Sequence, residues 1–122
     1  MGYYTEHTLE AFEFDGKTVG RQIELGPGLE KDILNKEKFN FVGYAIDGHG
    51  KCYGAVKWYD HAESMKMLSN AFPKMLFMLE GHGEEEDDFW QEWWNKGKFQ
   101  HCKGKMAITY EKFNPILLSA KK

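Results

Sequence analysis

The sequence predicts an α+β domain of the ferredoxin-like type: βαββαβ order, an antiparallel sheet with helices on one face, and a C-terminal β-hairpin extending that sheet. Three observations carry this expectation. Short runs rich in β-branched and aromatic residues are separated by Gly, Pro, Asn and Asp clusters. Two stretches place apolar residues at helical spacing. One run, "KMLFMLEG", is continuously apolar, as a central strand requires. With 122 residues the chain has material for one core but not two, so residues 1–122 are expected to form a single domain.

In chain order, "YYTEHTLEAFEF" alternates loosely between polar and apolar residues and predicts a long first strand, Tyr3 to Phe14. The glycines and Pro27 of residues 15–28 predict a loop. Leu29, Ile33 and Leu34 share a helical face, giving a helix over 28–38. "FNFVGYAI" and "AVKWY", joined by the turn-rich "DGHGKCYG", form the expected hairpin. Asp60 and Glu63 fit a capping box, ahead of Met65, Leu68 and Phe72 on one face. Pro73 ends that helix, because it cannot continue the hydrogen-bond ladder. The stretch "DDFWQEWWNKGKF" fits two patterns. Phe89, Trp90, Trp93 and Trp94 have helical spacing, yet Asn95-Lys96-Gly97 reads as a three-residue hairpin loop, and the hairpin is the favoured reading. "KMAITY" then closes the order as a last strand.

Apolar residues are 42% and aromatics 16% of the chain, which excludes a disordered tail. No apolar run approaches the ~20 residues that span a bilayer, and the opening "MGYYTEHTLE" lacks a leader's basic and apolar regions. Glu6 stands where N-myristoylation needs Ser or Thr. A cytoplasmic location is expected, with Cys52 and Cys102 as free thiols.

The net charge is −3, but it is unevenly distributed. Met75 to Asn95 contains no Lys or Arg and seven acids: Glu80, Glu84, Glu85, Glu86, Asp87, Asp88 and Glu92. From Lys96 onward there are seven lysines and one acid, Glu111. Phosphate would be repelled by the acidic region, and Arg21 is the only arginine, so nucleic acid is not the expected partner.

The stretches "YYTEHTLE", "KWYDHAESM", "FPKMLFMLEGHGEEEDDFW" and "NKGK" resemble a loose group of small phage and prophage proteins. That group pairs an opening Tyr-Tyr-Thr with Lys-Trp-Tyr-Asp-His before a helix, then a Gly-x-Gly-Glu-Glu turn, a Trp and a Gly-Lys hairpin. More distantly the chain is similar to a ferredoxin-like domain of phage and pathogenicity-island proteins. The resemblance spans Tyr3 to about Tyr110. It implies the fold, a viral origin and a strand over Phe89–Trp94, and it implies no shared activity. This chain departs from the group in its longer loop over 15–28, in His82 within the glycine turn, and in having five consecutive acids.

Four chemistries compete for the site. Zinc would draw on His49, Cys52, His61 and His101, but the spacing lacks paired knuckles, and neighbours on a strand, such as His101 and Cys102, point to opposite faces. Calcium on "EEEDD" would need alternating rather than consecutive ligands. Catalysis has no nucleophile elbow, phosphate loop or zinc-protease motif behind it, and capping accounts for Asp60 beside His61, so no enzyme and no cofactor are expected. Recognition is favoured. Glu84, Glu85, Glu86, Asp87 and Asp88 would attract a basic host protein, such as a transcription or antiviral-defence factor, with Trp90 and Trp94 as apolar anchors. The rival readings are a zinc- or nucleotide-handling site on His49, Cys52, His61 and His101, and nucleic-acid binding by Lys96, Lys98, Lys103 and Lys105. Homodimerisation through the uncovered sheet face is a further expectation.

Overall fold

The structure, a computed structural model, describes residues 3–28, 33–104 and 110–118. Strands β1 (Glu6–Phe14), β2 (Val19–Ile23), β3 (Met75–His82), β4 (Phe89–Asn95) and β5 (Lys98–Lys103) form one antiparallel sheet in the order β2-β1-β3-β4-β5. Among the described residues a single α-helix, α1 (His61–Ala71), lies between β2 and β3 in sequence, and a 3-10 turn covers Pro115–Leu117. The protein is a small α+β fold. Among the described residues no helix is long and apolar enough to cross a membrane.

The described elements follow ββαβββ order rather than the βαββαβ order of a ferredoxin-like sandwich, for two local reasons. First, the expected loop over 15–28 contains β2. Asp15 accepts hydrogen bonds from the backbone of Lys17 (2.8 Å) and Thr18 (2.7 Å), and Gly16 takes a positive φ of 97°. This side-chain-closed turn sends Val19–Ile23 back along β1. Second, the expected hairpin of 39–46 with 55–59 is absent. Phe39, Phe41, Val42, Ala45 and Ile46 are all buried, which a period-two strand on one face cannot achieve. Successive turns do it instead: the amides of Phe39, Val42 and Ala45 donate to Asn35, Phe39 and Phe41.

Positions 33–38 are turn rather than helix, while 29–32 lie outside the described residues, as do 105–109 of the expected last strand. The capping box does not form. Asp60 makes no side-chain cap, although its carbonyl accepts from the Ser64 amide at 3.1 Å. The β4–β5 loop has two residues, not three, because Asn95 pairs with Lys98.

Side-chain alternation assigns the two faces. Leu9 and Ala11 of β1, Met75, Phe77 and Leu79 of β3, and Trp94 of β4 face the core with Met65 and Leu68 of α1. The upper part of β1's outer edge is closed by the loop after residue 49: Thr5 and Val56 exchange backbone bonds (2.9 and 3.0 Å), and Leu9 donates to Gly50 (2.7 Å). On the opposite face the rings of Phe12 and Trp93 meet at 5.8 Å across β3, whose Leu76 and Met78 are buried outside the main core. Among the described residues no helix or strand packs on that second face.

Candidate functional site

Two polar arrangements stand out against this frame. The first is the acidic loop between β3 and β4. Register brings the N-terminus to it: Glu6 opposes His82, so the residues preceding β1 run beside those following β3. The Tyr4 amide donates to Glu84 Oε1 (3.1 Å), and the Glu85 amide donates to the Tyr3 hydroxyl (3.1 Å). The same hydroxyl is hydrogen-bonded to the Asp88 carboxylate, which raises the phenol's pKa above its ordinary value. Within the loop, Gly83 donates to Asp88 (2.8 Å) and Asp88 to Glu85 (3.1 Å). Glu84, Glu85, Glu86 and Asp87 are exposed on this braced turn, and Asp88 is half-buried.

The second arrangement sits on the core face. Pairing sets Leu79, Glu92 and His101 side by side across β3, β4 and β5. Glu92, only 6% exposed, collects three contacts. His61 Nε2 of α1 lies 3.0 Å from Oε1, the Trp94 indole donates to Oε1 at 3.2 Å, and His101 Nδ1 lies 2.9 Å from Oε2. Burial alone would push the Glu92 carboxyl up, but the hydrogen bonds from His61, His101 and Trp94 and the charge of His61 outweigh it and hold it at about 2. The bond to Glu92 raises the His61 pKa against the opposing effect of burial. Next to the pair, His7 is 2% exposed and its Nδ1 has no hydrogen-bond partner among the described residues. Burial first, and the neighbouring His61 second, lower its pKa to about 4. The indoles of Trp58 and Trp90 meet the His7 ring edge-on at 5.2 and 5.9 Å. Trp90 also stacks on His101 at 5.7 Å.

These geometries relocate the expected anchors. Trp94 is 2% exposed and belongs to the core, so it presents no surface to a partner. Trp90 is half-buried and packs inward between the histidines, above Gly81, where a Cβ would collide with its indole. Neither indole shares a surface with the acidic loop. Alternation is the reason: Trp90, Glu92 and Trp94 all project toward the helix. The aromatics that touch the loop are Tyr3 and Tyr4, and a β1–β3 pairing read from the sequence would have pointed to them.

The rival sites are also dispersed. His61 and His101 meet on Glu92. His49 belongs to a turn in which its amide donates to Asp47 (2.8 Å), and Cys52 borders Glu6 and Thr8 beside β1. Strands β1 and β5 are three steps apart, about 14 Å at ordinary strand spacing. Among the described residues no group of three or more His, Cys, Asp or Glu side chains is arranged to hold a metal ion. Of the hairpin lysines, Lys96 sits in the turn, and Lys98 and Lys103 fall on opposite faces of β5; Lys105 lies outside the described residues. Glu92 and His7 escaped sequence reasoning, because a single acid in an aromatic run and a single histidine in a strand carry no local motif.

No protein-family model, no curated protein and no solved structure matches the chain.

Proposed function

We propose that this is a non-catalytic binding protein that engages a basic surface on another protein through its acidic loop, Glu84–Asp88. One observation carries the reading: the Tyr3 hydroxyl holds the Glu85 amide and the Tyr4 amide holds the Glu84 carboxylate, while Glu85, Glu86 and Asp87 stay exposed. A charged loop already held in shape costs less to order on binding, and its field steers a cationic partner toward it. Since Trp90 and Trp94 point inward, the apolar part of the contact falls to Tyr3 and Tyr4, which are 40% and 45% exposed. Tyrosine suits that role, offering a broad ring with a polar tip at low entropic cost.

The resemblance to small phage and prophage proteins supports a host protein as the partner class, with transcription or antiviral-defence factors fitting the charge, met in the host cytoplasm. It is also the support for a distant ferredoxin-like relationship. The test is capture from a host lysate by the intact protein and by a variant with Glu84, Glu85, Glu86, Asp87 and Asp88 changed to Gln or Asn. The native protein should retain a partner at low salt and lose it at high salt, and the variant should retain none. Equal capture by both proteins overturns the reading.

A further inference from the structure

The C-terminal arm leaves β5 at the edge of the sheet and carries an unusual amount of uncovered apolar surface. Tyr110, Phe113, Ile116, Leu117 and Leu118 are each between 70% and 88% exposed. Single exposed apolar residues are ordinary, whereas five within nine positions make a contiguous sticky segment. Part of it is locally shaped. Asn114 caps the 3-10 turn through a side-chain bond from the Ile116 amide at 3.1 Å, and Leu118 donates to Pro115 at 3.2 Å.

The same chain holds a surface of matching character. The sheet face opposite the helix presents the half-buried Phe12 and Trp93 rings over Leu76 and Met78, with Glu10 and Glu80 alongside on the same face. It is apolar in the middle and acidic beside that. The arm is apolar and basic, with three lysines and one glutamate between Tyr110 and Lys122. The arm is exposed, and among the described residues no helix or strand covers the sheet face.

We propose that the C-terminal arm of one molecule docks on the helix-free sheet face of a second copy, whose own arm returns the contact. A reciprocal exchange of this kind closes as a two-fold pair and buries both open surfaces twice over. Charge complementarity selects the face, since the arm carries three lysines against one glutamate and the face carries Glu10 and Glu80. The inference does not depend on the acidic-loop reading, because no residue of that loop takes part in it.

Light scattering on the full 14.2 kDa chain across a concentration series tests it. The mass should rise from that of one chain to that of two. Ile116→Asp with Leu117→Asp should move the midpoint at least ~10-fold toward the monomer, a loss of about 1.4 kcal/mol or more in association free energy. Glu10→Lys with Glu80→Lys should weaken the pair in the same direction. All four are surface substitutions, so unchanged far-ultraviolet circular dichroism and urea midpoints confirm folding. A chain that stays at 14.2 kDa at every concentration overturns the proposal, whether its arm folds onto its own sheet or serves a different protein. So does a dimer whose midpoint ignores either pair of substitutions.

Discussion

His61 Nε2 on the helix lies 3.0 Å from Glu92 Oε1 on the sheet, an imidazole and a carboxylate whose side chains are only 25% and 8% exposed. Helix and sheet are thus joined by a charge-assisted contact inside a largely apolar layer. Removing one partner of such a pair strands the other without solvent, so Glu92→Leu should cost about 3–5 kcal/mol in a urea titration. Glu92→Gln keeps an acceptor for the Trp94 indole and should cost less, about 1–2 kcal/mol. Equal losses for the two variants would show that the carboxylate's charge contributes nothing.

Acidification should weaken the fold before Glu92 itself titrates. His7 is held neutral, with a pKa lowered to about 4, so its contribution is complete above the unfolded value of 6.5 and is lost as pH falls toward 4. A buried imidazole shifted that far accounts for ~2–3 kcal/mol across this window. The Glu92 contribution follows at lower pH, present above its ordinary 4.5 and lost as pH falls toward about 2. His61 acts in the opposite sense: its raised pKa adds stability below 6.5 that disappears as pH rises through the folded value. Thermal midpoints should therefore peak near neutrality. His7→Phe should flatten the slope between pH 6.5 and 4, and an unchanged slope would assign it to another group.

The brace on the acidic loop has its own readout. Tyr3→Phe removes the acceptor for the Glu85 amide and the hydroxyl bonded to Asp88. Hydrogen exchange at the Glu85 amide should accelerate several-fold while amides in β3 keep their protection. Retained protection at Glu85 would mean that the turn's internal bonds suffice to hold it.

The β4–β5 connection has two residues, Lys96 with φ 51° and Gly97 with φ 78°, as a type I′ turn requires. Lysine is a poor resident of that region, so Lys96→Asn should stabilise the hairpin by about 0.5–1 kcal/mol. Gly97→Ala should cost at least ~1 kcal/mol, because a Cβ there is strained and would lie 2.9 Å from Asn70 Nδ2. Calorimetric midpoints moving in opposite directions would confirm both effects.

Much of the sheet could be read from local pattern. The alternation of β1, the apolar run of β3, the Pro73-terminated helix and the β4–β5 reversal all have causes within a few residues, although β1 begins at Glu6 rather than Tyr3 and the reversal takes two residues rather than three. The segment over 33–59 did not follow, because Phe39, Phe41, Val42, Ala45 and Ile46 are as apolar as a strand but become buried by winding under the sheet. Strand β2 was hidden for the opposite reason. "VGRQI" is mostly exposed edge with little alternation, and it is placed by the Asp15 turn before it. At the site, the acidic loop was visible from charge alone, whereas its tyrosine brace joins residues about 80 positions apart. The carboxylate–imidazole contacts depend on strand register, which composition does not encode.

Strand β4 carries nearly the same message on both sides. Its inward set is Trp90, Glu92 and Trp94, and its outward set is Phe89, Gln91 and Trp93: aromatic, polar, aromatic in each case. Sliding the strand by one position would exchange the two sets at little hydrophobic cost. What breaks the tie is an anion that finds its cation on only one side of the sheet. Exchanging the middle pair, Gln91→Glu with Glu92→Gln, would move that anion to the other set, and cross-strand nuclear Overhauser contacts should then report the alignment shifted by one position. The histidine on the helix thus works as a proofreader of which side of a ribbon turns inward.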